Sequence, residues 1–83
     1  SKVLFITLIT IDQNFRRLGV GRKILRLLAT YYEDKYKYID LEVDKINISA
    51  YDFYIKNGFI ELSSNNEKTQ LRVEIDNFLK KNK

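Results

Sequence analysis

Nine consecutive residues near the start of the chain, Val3 to Ile11 (VLFITLITI), carry no charge, and six of them are β-branched. Branched side chains lose rotamers in a helix and pack well on a pleated surface, so the run reads as a strand. A strand that never alternates with polar residues is buried on both faces, as in parallel sheets covered by helices. Such a strand needs neighbours, and the rest of the chain has to supply them.

Asp12 to Arg17 is a polar connection. From Gly21 to about Asp34, Ile24, Leu28 and Tyr31, with Leu25 and Tyr32, recur at helical spacing, while Arg22, Lys23, Arg26 and Glu33 take the wet side. This predicts an amphipathic helix. Tyr38 to Val43 alternates, with Ile39, Leu41 and Val43 on one face and Asp40 and Glu42 on the other, and predicts a second strand. Asn47 or Ser49 caps a short helix reaching Asn57, with Ala50, Phe53 and Tyr54 inward and Gly58 as its left-handed stop. Phe59 to Leu62 and Thr69 to Ile75 predict two strands about the polar turn Ser63 to Lys68, followed by a short terminal helix.

The order strand, helix, strand, helix, strand, strand gives an α+β fold. A parallel pair joined by a crossover helix is extended by antiparallel strands into a mixed sheet with helices on both faces. The outer edge of Val3 to Ile11 finds no partner in this order. The expectation is therefore a single partial domain, 1–83, completed by upstream sequence or by a second chain.

Composition removes whole classes of chemistry. Eighty-three residues make one domain at most and bury only roughly 60 to 65% of their unfolded surface. Cysteine and histidine are both absent, which excludes disulfides, thiolate nucleophiles, the commonest zinc ligands and the usual general base. Proton transfer falls to carboxylates, tyrosines, lysines or the backbone, and no carboxylate spacing suits a metal. Of the net charge of +4, Lys80, Lys81 and Lys83 contribute three, which leaves 12 basic against 11 acidic residues in the body. A nucleic-acid partner is not expected. No apolar run approaches the roughly 20 residues of a membrane span, and no signal-peptide pattern precedes the first strand, so a cytoplasmic protein with no membrane association is expected.

The densest local signal is Arg16-Arg17-Leu18-Gly19-Val20-Gly21-Arg22, lying between a strand and a helix. Glycines let the backbone approach a ligand, the amides from about Leu18 to Arg22 are orphaned at the helix start, and the dipole adds positive potential there. Such a seat suits a diphosphate. The nucleoside-triphosphate loop G-x-x-x-x-G-K-(S/T) is not matched, and G-x-G-x-x-G fails because position 24 is Ile. On the residues alone, a turn using glycines only for close packing accounts for the pattern equally well.

Arg16-x-x-Gly19-x-Gly21 resembles the (Q/R)-x-x-G-x-(G/A) signature of the GNAT acyl-CoA N-acyltransferases, and Asn47-x-x-Ala50-x-x-Phe53-Tyr54-x-x-x-Gly58-Phe59 resembles the second stretch of that family. The resemblance covers about residues 3 to 62. It implies that acetyl-CoA is the co-substrate, with its pyrophosphate on the amides of Arg17, Leu18, Gly19, Val20, Gly21 and Arg22. Its pantetheine would pair with the main chain around Ile9, Thr10 and Ile11, Asn47 would contact the cofactor, and Tyr54 would lie beside the thioester sulfur. Leu41-Glu42-Val43 is similar to a stretch of the ribosomal-protein alanine N-acetyltransferases in which the glutamate serves as base. Catalytic subunits of the N-terminal acetyltransferases are similar through Arg-Arg-Leu-Gly-Val-Gly, although the tyrosine and histidine that one branch uses are Phe5 and Glu42 here.

The implied activity is transfer of acetyl to a primary amine, foremost a protein or peptide N-terminus, with Glu42 as base and Tyr54 as acid and with an auxiliary subunit or second chain as possible partner. Three plainer readings stand beside it. Glu42 fits a rim carboxylate paired with a lysine, Tyr54 a core tyrosine, and Asn47 a helix cap. A small-molecule amine acetyltransferase and a catalytically silent CoA-binding assembly module are the alternative functions.

Overall fold

The computed structural model describes residues 3–6 and 19–81. Its elements are β1 (Val3–Ile6), α1 (Val20–Tyr32), β2 (Tyr38–Asp44), α2 (Ile48–Lys56), β3 (Ile60–Ser64), β4 (Lys68–Glu74) and α3 (Ile75–Lys81), in the order the sequence predicts. The sheet runs β1-β2-β4-β3. β1 and β2 are parallel, from Val3 opposite Tyr38 to Ile6 opposite Leu41. β2 and β4 pair antiparallel over their full lengths, and β3 pairs antiparallel with β4 through a bulge between Glu61 and Ser63. The hairpin closes where Asn65 stands. Its Oδ1 accepts the N–H groups of Glu67 and Lys68, each at 2.8 Å, in the side-chain turn that asparagine favours.

Alternation along the strands sorts their side chains. Ile39, Leu41 and Val43 of β2 meet Leu71 and Val73 of β4 on one face, and Leu25 and Ala29 of α1, Ala50 and Tyr54 of α2, and Ile75 and Phe78 of α3 pack there with Phe59 in one core. Leu25, Ile39, Leu71, Ile75 and Phe78 are fully buried, each stabilising by about 1.5 to 3 kcal/mol relative to exposure. The opposite face carries Phe5, Tyr38, Asp40, Glu42, Ile60, Gln70 and Arg72. Of the two helical layers expected, the described residues supply one.

That one-sidedness corrects the reading of the first strand. Within Val3–Ile6 the side chains are half-buried except Phe5, which is 45% exposed, because β1 lies at the rim of the sheet and the described residues cover only one face. Residues 7–11 lie outside the described residues.

The inward stripe of α1 also differs from expectation. Gly21, Leu25 and Ala29 are buried, while Ile24 and Tyr31, expected inside, are exposed together with Leu27. Gly21 and Ala29, small residues eight apart with Leu25 between them on the same stripe, let the helix axis come close to the sheet, and the large side chains of Ile24, Leu27 and Tyr31 are turned out. Phe59, expected to open β3, is a core residue ahead of it, and every β3 side chain is exposed. Lys80 and Lys81 form the last turn of α3, where the dipole favours cations. Among the described residues no helix is long and apolar enough to cross a membrane.

Candidate functional site

Among the described residues nothing crowds Gly19 at the start of α1. Gly19 is the N-cap at φ 77°, in the left-handed region, and it provides no side-chain cap. A Cβ there would meet nothing within 4 Å, so the glycine answers to φ and not to crowding. Its carbonyl accepts the Lys23 N–H at 3.3 Å, which leaves the amides of Val20, Gly21 and Arg22 without intrahelical partners. The first turn holds no acidic residue and the Arg22 side chain is exposed. Orphan amides, dipole and guanidinium together fit an anion such as a diphosphate. Gly21, by contrast, is buried and serves packing. Ile9, Thr10, Ile11, Arg16, Arg17 and Leu18 lie outside the described residues.

α1 leads through Glu33–Lys37 into the beginning of β2 and packs its Leu25 and Ala29 on the core. It therefore runs back along the sheet, with its N-terminus toward the end where β2 finishes. At that end Asn47 caps α2, its Oδ1 accepting the Ala50 N–H at 3.1 Å. The cap is exposed, so the capping role and contact with a ligand are compatible. The other end of α2 stops at Gly58, φ 96°, beyond an Asn57 whose Nδ2 donates to the Phe53 carbonyl at 2.8 Å.

Glu42 lies on the exposed face of β2, one residue beyond the end of the described β1 pairing at Leu41. The register surrounds it with an ordered set of charges. Asp40 faces Arg72, Glu42 faces Gln70, and Asp44 faces Lys68. Asp40 accepts Arg72 Nε at 2.7 Å and Nη2 at 3.0 Å, while Lys68 reaches Asp44 at 3.9 Å. Glu42 is the member of this acidic row that faces a neutral side chain, and among the described residues it has no ion-pair partner. Among the described residues no lysine stands opposite Glu42.

Tyr54 is 5% exposed and belongs to the core, with its ring edge-on to those of Phe53 and Phe59 at 5.2 Å each. It therefore sits under the face opposite to Glu42. The described residues do not bring the two side chains together on one surface; they flank β2 from its two sides.

Sequence reasoning missed Asp40, Gln70 and Arg72. Asp40 lies with Glu42 on the face opposite Ile39, Leu41 and Val43, as the alternation predicts, yet it is 2% exposed and also accepts Gln70 Nε2 at 3.1 Å, while the Arg72 guanidinium lies 4.4 Å from the Tyr38 ring centroid. Hydrogen bonding to Asp40 raises the Arg72 pKa above its ordinary value. The signal was present in the alternation Asp40, Glu42, Asp44 against Lys68, Gln70, Arg72, once the two segments are aligned antiparallel. Among the described residues no group of three acidic side chains is placed to hold a metal ion.

A family model described as the acetyltransferase (GNAT) family matches residues 1–59. Ard1 from Thermoplasma volcanium superposes with a TM-score of 0.74 at 25% identity, covering 88% of this chain and 55% of that one. The ribosomal-protein-S18-alanine N-acetyltransferase from Escherichia coli superposes with a TM-score of 0.65 at 24% identity, covering 86% and 54%. A further acetyltransferase structure gives 0.68 at 23% identity, covering 89% and 42%. The chain thus spans about half the length of the solved structures it matches. No curated protein sequence matches it significantly.

Proposed function

The chain belongs to the acetyltransferase (GNAT) family, and from that premise we propose that it is the acetyl-CoA-binding part of a cytoplasmic N-acetyltransferase acting on a primary amine, foremost a protein N-terminus. The observation that carries the reading is Glu42, the carboxylate that among the described residues is left without a cation in an otherwise compensated row. An acceptor amine arrives largely as ammonium and has to lose a proton before it can attack, so an uncommitted carboxylate is what the reaction requires.

Gly19, Val20, Gly21 and Arg22 would seat the pyrophosphate, with Arg16, Arg17 and Leu18 continuing that seat and Asn47 adding a contact at the α2 cap. Bound acetyl-CoA supplies the activated acetyl group. If its pantetheine arm lies along Ile9 to Ile11, the edge of β2 beyond Leu41 is where the arm ends, with Glu42 on one side and Tyr54 on the other. The amine nitrogen then bonds to the acetyl carbon and the carbon–sulfur bond breaks. Of the two protons the ammonium gives up, one leaves through Glu42 to solvent. Tyr54 delivers a proton to the sulfur and is reprotonated by the other.

Among the described residues, the sheet face without helices and the unpaired rim of β1 support completion of the domain by further sequence or by a second chain, which would also shape the acceptor pocket. The test begins with calorimetric titration of CoA and acetyl-CoA, comparing the wild type with a Gly19→Glu, Gly21→Glu double variant. Acetylation of free-N-terminus peptides and polyamines by the natural protein follows. Glu42→Gln and Tyr54→Phe should cut turnover while CoA affinity is kept. Unchanged turnover in both variants would remove these roles, and retained CoA binding in the double-glutamate variant would remove the pyrophosphate seat.

A further inference from the structure

The cross-strand partner of Glu42 is Gln70, and side chains directly opposite in an antiparallel pair stand about 4.5 to 5.5 Å apart at Cβ. Gln70 is not free to turn. Its Nε2 donates to Asp40 Oδ2 at 3.1 Å, and an ionised carboxylate only accepts, so the nitrogen of the amide and not the oxygen faces Asp40. Asp40 is itself fixed, buried under two hydrogen bonds from Arg72, whose guanidinium rests on the Tyr38 ring. The planar amide therefore holds Oε1 away from Asp40, and among the described residues no donor reaches that oxygen. Gln70 Oε1 and the Glu42 carboxylate are thus two acceptors at one level of the sheet, on a face where Arg72 is committed to Asp40 and Lys68 stands by Asp44.

We propose that Gln70 is a second acceptor for the incoming amine. Its Oε1 and the Glu42 carboxylate together take the N–H groups of the ammonium, and the Asp40–Arg72 pair keeps Gln70 in that orientation. The proposal rests on the assignment of Glu42 as base. One ammonium proton passes to Glu42 and a second N–H stays on Gln70 Oε1, so the lone pair freed on nitrogen is aimed and not left to rotate. No bond to Gln70 forms or breaks, and its amide neither gains nor loses a proton. Asp40 and Arg72 act through Gln70 and are positioning residues.

The test uses the natural protein that carries this chain, with a free-N-terminus peptide as acceptor. Gln70→Leu removes both amide atoms at a half-buried position and keeps nearly the same size. Its kcat/KM for the peptide should fall roughly 10- to 100-fold, the range for losing a hydrogen bond to a charged group. The loss should appear in the acceptor KM as well as in kcat. Acetyl-CoA affinity should stay at the wild-type value, while the unfolding midpoint falls only by the loss of one of the three hydrogen bonds to Asp40, with the two from Arg72 kept. Arg72→Lys, which keeps a cation beside Asp40, should retain more turnover than Arg72→Met when both are assayed well below their unfolding midpoints. If Gln70→Leu works within roughly twofold of wild type while Glu42→Gln is crippled, the proposal fails and the base assignment survives. If Glu42→Gln is unimpaired, both fall. A drop in acetyl-CoA affinity that matches the drop in turnover would also overturn the proposal, since a general distortion of the sheet would then account for it.

Discussion

Arg72 holds Asp40 with two donors, Nε at 2.7 Å and Nη2 at 3.0 Å, across neighbouring strands but 32 residues away in the chain. The two partners are not equally placed, for the Asp40 side chain is almost wholly covered while Arg72 keeps a route to water. Removing Arg72 strands a charge that cannot be rehydrated, whereas removing Asp40 leaves a guanidinium that can turn outward. Urea unfolding should therefore find Arg72→Met less stable than Asp40→Leu. The double variant should recover part of the Arg72→Met loss, and an Asp40→Leu midpoint lower than that of Arg72→Met would refute the asymmetry.

Asn47 closes the first turn of α2 through its side chain. Asn47→Ala should cost about 0.5 to 2 kcal/mol in chemical denaturation, and Asn47→Asp should restore most of it. If the residue also touches the cofactor, Asn47→Asp will recover stability without recovering CoA affinity.

Core and rim of α1 should respond differently to the same change. Leu25→Ala should lose about 2 to 5 kcal/mol because the site is fully buried between helix and sheet. Leu27→Ala, two residues on and 70% exposed, should stay within about 0.5 kcal/mol of wild type by the same measurement.

Tyr51 donates its hydroxyl to Glu61 Oε1 at 3.1 Å, and this bond, with a little burial and the charges of Glu61 and Asp52, raises the phenol above its ordinary 10.0. A raised value means the contribution to stability is complete below the ordinary pKa and is lost as pH climbs through the raised one. Glu61→Gln should bring the late phenolate absorbance to lower pH, and Tyr51→Phe should delete that step from the titration.

Gly58 at φ 96° should tolerate alanine poorly, by about 1 to 2 kcal/mol, although the nearest atom to a new Cβ, Lys81 Cδ at 3.9 Å, leaves room. Gly19→Ala should cost a similar amount for the same backbone reason. In both variants the loss should appear in thermal unfolding without any change in the sheet's spectroscopic signature.

The element order was legible because each segment repeats its apolar residues at one period, two in Tyr38 to Val43 and near 3.6 in α1. Periodicity does not say which of two adjoining apolar stripes turns inward, so Ile24 and Tyr31 were misplaced where Gly21 and Ala29 lie against the sheet. Composition cannot tell that a surface-type residue is buried when its partner comes from a distant strand, and Asp40 escaped for that reason. The capping of α2 was readable because the signal is local: Asn47 and Ala50 are three residues apart. Glu42 was found through its neighbours in sequence, but what distinguishes it from Asp40 and Asp44 emerged only from the register with β4.

The bulge between Glu61 and Ser63 has a bearing on how this sheet can grow. It interrupts the regular ladder on β3, whose side chains all face solvent, so that rim offers an incoming strand a broken row of donors and acceptors. β1 at the opposite rim is regular over Val3–Ile6. Among the described residues, β1 is therefore the more regular of the two rims and the better template for an added strand.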